Sequence, residues 1–256
     1  MIIKQQYPVI EYDDDKDALI SPEHIKVLLG DRPVVNKLVI TFFKEVIQTL
    51  LAEEKIEHFI TISGENDLVV YKFVDANVLI LHGIIGCPAC AGFLDDMIGL
   101  GVTKIMFCGG GGVLDKNIPV GHLLVVEGAI RDEGFSYHYV APSRIIHTQS
   151  NVRQTICNYL NEQGVPHFEG IVWTTDAFYR ETKARIQLRK EEGAKIVEME
   201  QAGCIAVAQF RNVKYGAIIY AGDDVSQDVW DSRNWQNRKS IRFNLVEICK
   251  QLVQKI

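Results

Sequence analysis

The chain has 256 residues, enough to bury a substantial core, and its 47% hydrophobic and 23% charged content is that of an ordinary folded domain. A formal net charge of -6, with Lys and Arg scattered rather than striped, excludes a basic surface that would gather nucleic acid. The opening MIIKQQYPVIEYDDDKDALI lacks the basic-then-apolar order of a secretion signal, and no apolar run is long enough to span a bilayer, so a cytoplasmic protein without a membrane partner is expected.

Short apolar runs alternate with segments of helical spacing. The runs are IKVLL (25–29), HFITI, LVVYKF, NVLILHGI, KIMFC, HLLVVEGAI, GIVWTT and YGAIIYAG, with GAKIV as a further short strand; the helical segments are 36–54, 89–100, 150–163, 181–192, 200–211 and 238–255. This alternation predicts an α/β fold with a largely parallel sheet covered on both faces. LVVYKFVDANVLIL adds an antiparallel hairpin turning at residues 75–77. With no repeat, low-complexity tract or linker, a single domain over 1–256 is expected.

In open α/β sheets ligands collect beyond the carboxyl ends of strands. The junctions to watch are LLGDRP (28–33), HGIIGCPA (82–89), the glycine run in MFCGGGGVL (106–114), YAGDDVS (220–226) and VEMEQAG (197–203). Acidic residues in the first turn of a helix are favoured by the macrodipole alone. Glu198 and Glu200, however, stand between the apolar strand GAKIV and the helix AGCIAVAQF, which predicts partial enclosure. An enclosed carboxylate needs partners, and the vicinal diol of a sugar can donate to both of its oxygens.

Other features read as structural. Cys87 and Cys90 form a C-x-x-C, but no second pair completes a four-ligand zinc spacing, and the six cysteines are expected to pack as small hydrophobes. His82 and His138 are the histidines best placed for chemistry, yet a lone histidine is more often a hydrogen-bonded structural residue. No metal is expected, Ser143 and Ser226 fit no nucleophile elbow, and Asp13–Asp15 reads as a solvated turn.

The segment TTDAFYRETKARIQLRKEEGAKIVEMEQAGCIAVA, with GAIRDEGFSYHYV and AGDDVS, resembles the nucleoside phosphorylase and uridine phosphorylase family, in order from Leu28 to Val225. The resemblance implies a three-layer α/β/α sandwich around a mixed, partly barrel-like sheet, and assembly as a homodimer or as a hexamer of three dimers. It implies N-glycosidic cleavage of a nucleoside by phosphate, with no cofactor. Carried over position by position, it implies that Glu200 holds the ribose hydroxyls, Met199 lies under the sugar, Glu198 is the companion acid and Phe178 stacks near the base. Asp223 aligns with the acid that protonates a departing purine. Thr182 and Ala184 stand where uridine-specific members present an amide and an arginine, so purine is favoured.

The phosphate half departs from the pattern. Met106 and Val34 stand at the places of two phosphate-binding arginines, and Gly109 and Gly110 at that of a hydroxyl residue. A third arginine has no counterpart in 55–75, and the first 23 residues contain no histidine. What remains for phosphate is a backbone nest of Gly109–Gly112 with Gly30, plus Arg32. Phosphorolysis ranks first, hydrolysis by water second and non-catalytic nucleoside binding third.

Overall fold

The computed structural model describes residues 2–64 and 67–256; Met1, Glu65 and Asn66, the last two within the 55–75 stretch, lie outside the described residues. Among the described residues ten strands carry the fold: β1 (Lys37–Thr41), β2 (Ile56–Ile62), β3 (Leu68–Phe73), β4 (Leu79–His82), β5 (Lys104–Val113), β6 (Leu123–Asp132), β7 (Ile145–His147), β8 (His167–Thr175), β9 (Ala194–Glu198) and β10 (Lys214–Asp224). Six α-helices of the described residues surround them: α1 (Lys44–Ala52), α2 (Cys87–Gly99), α3 (Ser150–Glu162), α4 (Lys183–Glu191), α5 (Gln201–Phe210) and α6 (Lys239–Leu252).

Strands β5, β9, β8, β6 and β10 pair in that order, and β10 pairs back onto β5, closing a ring; β1, β4, β3 and β2 extend from β5 as an open wing. Leu94 and Met97 of α2 and Ile205 and Val207 of α5 build the core on one face. Val46 of α1, Ile156 and Leu160 of α3, and Leu245 and Cys249 of α6 build it on the other. The three-layer, partly barrel-like architecture is therefore present. The sheet is mixed rather than largely parallel, since five of the ten strand pairings are antiparallel among the described residues. One of these is the expected hairpin, β3 against β4.

Two predicted elements are replaced. IKVLL is not a strand but part of a 3-10 turn, Pro22–Leu29: the Ser21 side chain accepts from the Glu23 N–H, Pro22 fixes the first turn, and only Ile25 and Leu29 are buried, four residues apart. The 36–54 segment is two elements. KLVIT forms β1, buried between β4 and β5, and the helix begins only at Lys44. A strand covered on both faces is apolar at every position, so its pattern merges with that of the helix behind it.

The glycine run is the third correction. Gly109–Gly112 belong to β5, and their backbones pair with β10 through Gly109–Gly111 and with β9 through Gly112, so they form no open anion nest. Close packing accounts for the absence of side chains. A Cβ on Gly110 would lie 2.7 Å from the Tyr220 ring, and one on Gly111 would lie 2.5 Å from the Val197 carbonyl oxygen.

Candidate active site

Strand β9 delivers the VEME junction to the carboxyl end of β5, Val197 pairing with Gly112 on one side and Glu198 with Thr174 of β8 on the other. Glu198 is enclosed and fully engaged. Its Oε2 accepts the N–H groups of Glu200 (2.6 Å) and Gln201 (2.8 Å), and its Oε1 accepts the Thr174 hydroxyl. Thr174 Oγ1 in turn accepts the Ala202 N–H at 3.0 Å. Glu198 thus caps the amino end of α5, where the first N–H groups have no intrahelical partner.

Glu200 is equally buried but differently used. Its Oε1 accepts the Gly86 N–H at 2.8 Å, at the amino end of α2, and no side-chain or backbone donor among the described residues engages Oε2. Burial raises the affinity of both carboxyls for a proton; the Glu200 charge adds to this at Glu198, and the Gly86 N–H works against it at Glu200. Half-buried Met199 lies between the two acids, its carbonyl accepting the Cys87 thiol at 3.4 Å. The structure therefore brings Glu198, Met199 and Glu200 together with Gly86, a partner that sequence reasoning missed. A glycine ahead of a Cys-Pro helix start was the available signal.

Phe178 lies in the turn after β8, and Asp223 near the carboxyl end of β10. Phe178 opens a 3-10 turn after β8, half-exposed, its ring 4.1 Å from that of Tyr179. Asp223 leans over β5, its Oδ1 3.5 Å from where a Gly112 Cβ would be, and its Oδ2 accepts the Trp230 indole N–H at 2.7 Å. The neighbouring Asp224 is fully buried and holds its loop, accepting from the Ser226 N–H (2.8 Å), Gln227 (2.8 Å) and Arg233 (3.0 Å).

The proposed phosphate residues do not assemble. Gly30 and Arg32 precede the amino end of β1, with the whole strand between them and Thr41, where β1 meets Cys108 of β5. Among the described residues the Arg32 guanidinium reaches only the carbonyls of Leu28 and Leu29, at 3.5 and 3.4 Å. Val34 packs beside Gly101, following α2, and Met106 is fully buried on the α3 side, next to Gly216, Val152 and Ile156. Beyond the carboxyl ends of β1 and β4 stands an aromatic group: the Phe42 ring lies 5.3 Å from Phe107 and 6.4 Å from His82, and a Cβ on Gly83 would meet it at 2.5 Å. Burial, with the Lys44 charge, holds the His82 imidazole below its usual value, although a hydrogen bond with the Phe42 backbone opposes this. Phe42 and Lys44 were overlooked because β1 had been read as helix, which left no strand end there to inspect.

Elsewhere the expectations resolve as packing. All six cysteines are buried free thiols, Cys90 and Cys204 lying 3.9 Å apart across α2 and α5. His138 is exposed, and Asp13 and Asp15 accept the N–H groups of Asp15 and Asp17 in an exposed irregular stretch, not the expected turn. No described helix is long and apolar enough to cross a membrane.

Residues 37–252 match the family model described as Phosphorylase superfamily. A guanosine phosphorylase of Halorubrum lacusprofundi is 24% identical over 173 residues, covering 64% of this chain and 72% of that protein. A purine nucleoside phosphorylase of Plasmodium falciparum is 26% identical over 176 residues, 65% and 71% of the two chains. Among solved structures, purine nucleoside phosphorylase from Toxoplasma gondii in complex with immucillin-H has a TM-score of 0.70 at 18% identity, covering 87% of this chain and 93% of its own. A futalosine hydrolase mutant of Helicobacter pylori has a TM-score of 0.68 at 22% identity, covering 88% and 100%.

Proposed function

The chain belongs to the phosphorylase superfamily, and on that footing we propose that it cleaves the N-glycosidic bond of a nucleoside, purine nucleosides being favoured. The observation that carries this reading is Glu200: an enclosed carboxylate with one oxygen held by Gly86 and the other free to accept ribose hydroxyls. Met199 would lie under the sugar, Phe178 beside the base, and Glu198 would hold the junction in shape. The breaking bond leaves negative charge on the base, and an acid at the Asp223 end would neutralise it. No metal or cofactor is called for by this chemistry.

Phosphate is the first acceptor to consider for a member of this family. Water is a second reading, favoured by the aromatic group Phe42–Phe107 beyond β1 and β4 and by the placement of Arg32 before the amino end of β1. A phosphate dianion in a dry site requires charge-assisted donors, whereas water does not. Incubation with a nucleoside panel, with and without phosphate, tests the function: free base with ribose 1-phosphate supports phosphorolysis, free base with ribose supports hydrolysis, and no release of base from any nucleoside rejects the enzyme reading in favour of nucleoside binding. Assembly as a homodimer or a hexamer of three dimers belongs to the same proposal and is measured by light scattering.

A further inference from the structure

The side chains of Glu200 and Asp223 share one arrangement: a single N–H fixes one carboxyl oxygen and the other stays open. At Glu200 the donor is the Gly86 backbone. At Asp223 it is the Trp230 indole, which donates to Oδ2 at 2.7 Å, while no donor among the described residues engages Oδ1. The open Oδ1 lies over β5, 3.5 Å from where a Gly112 Cβ would be, and that Cβ would also stand 3.2 Å from Val197 Cγ1, on the strand that ends in the VEME junction. The missing side chain of Gly112 keeps the space beside Oδ1 clear.

The loop that carries Trp230 is built to return it to this place. The Val225 N–H donates to the Val113 carbonyl at 3.2 Å, and Asp224 and Asp231 exchange both backbone bonds, at 2.8 and 3.1 Å, which closes the loop 225–230. Buried Asp224 also accepts from Arg233 at 3.0 Å, and Arg233 in turn donates to the Ile118 carbonyl at 2.7 Å. Trp230 directly precedes the closing pair, which brings it back beside Asp223. With 61% of its surface exposed, Trp230 contributes little packing, and the bond to Asp223 is what fixes its indole.

We propose that Trp230 is a positioning residue, its indole N–H holding the Asp223 side chain so that Oδ1 meets the base of the nucleoside; this rests on the nucleoside-cleaving reading with Asp223 at the base. Trp230 touches no reacting atom and acts through Asp223, as Gly86 acts through Glu200. Without the indole bond the Asp223 carboxyl turns freely about its side-chain bonds and spends less time in the productive orientation. The loss should therefore fall on turnover and not on binding.

Trp230→Phe keeps an aromatic ring and removes the donor. In the full chain, kcat for a purine nucleoside should fall about 5- to 30-fold with KM changed less than about threefold, while cleavage of 4-nitrophenyl β-D-ribofuranoside, whose phenolate leaves without an acid, should change less than about twofold. Asp223→Asn should cost more, and the double variant should lose no more than Asp223→Asn alone, since Trp230 then has nothing to position. Undiminished turnover in Trp230→Phe overturns the assignment. So do losses that multiply in the double variant, or that fall equally on both substrates and mark a structural role. Nucleoside cleavage indifferent to Asp223→Asn removes Asp223 from the base, and the inference with it; no cleavage of any nucleoside by the unmodified protein rejects the nucleoside-cleaving reading itself.

Discussion

The two ends of the candidate site are built on different principles. At the VEME end Glu198 and Glu200 are both enclosed: Glu198 satisfies the first N–H groups of α5, and Glu200 is held by Gly86 with one oxygen to spare. At the end beyond β1 and β4 the lining is aromatic, Phe42 covering Gly83 and touching the Phe107 side of the core. A pocket for hydroxyl donors can be made from carboxylates fixed by backbone N–H groups. A pocket for a dianion needs cations: Arg32 is on the wrong side of β1, and the cation whose charge acts at this end, on His82, is Lys44.

The largest effect should come from forcing a charge into the acceptor half. Met106→Arg places a guanidinium in a fully buried position among apolar side chains, so it should cost several kcal/mol and leave little folded protein, whereas Met106→Leu should cost less than about 1.5 kcal/mol. Thermal unfolding by circular dichroism decides this. A well-folded Met106→Arg protein with phosphate-stimulated turnover would restore the reading of that position as a lost arginine site. Val34→Arg, half-exposed beside Gly101, should change stability by less than about 0.5 kcal/mol.

Next in size is the sugar end itself. Glu200→Gln should lower kcat/KM for nucleosides by roughly 30- to 150-fold, the equivalent of about 2 to 3 kcal/mol for hydrogen bonds to a charged group, with melting little changed. Unaltered turnover would remove Glu200 as the ribose anchor and break the contrast between the two ends. Glu198→Ala should act the other way round, on stability, because it strips a cap from α5; a loss of about 1 to 2 kcal/mol is expected in denaturant unfolding.

The smallest effect concerns pH. Burial and the Asp223 charge push the Glu181 carboxyl up to about 7, which means that the folded chain binds more protons than the unfolded chain between about pH 4.5 and 7, so its contribution to stability is present below that range and is lost as pH rises through about 7. Glu198 and Glu200 act in the same direction, and His82, held neutral, in the opposite one. Comparison of Glu181→Gln with the unmodified protein isolates the Glu181 part: the variant should melt higher relative to it at pH 8 than at pH 5. A difference independent of pH would show that Glu181 is not in the enclosed, charge-facing position.

The amino-acid order by itself determined the alternation of strands and helices, the β3–β4 hairpin and the enclosure of the VEME carboxylates, because local period, turn residues and charges inside apolar segments are all written within a few residues of one another. It left β1 hidden, since a strand buried on both faces shows no period of its own. Only the tertiary structure decided the ring closure of β10 onto β5, the use of four glycines as close-packed strand rather than anion loop, and the placement of Arg32 before the amino end of β1. The physical reason is common to all three. Whether a bare backbone N–H is free for a ligand, or a cation is within reach of one, depends on which strand lies beside it, and those neighbours are up to 100 residues or more away along the chain, as Gly111 and Ala221 are.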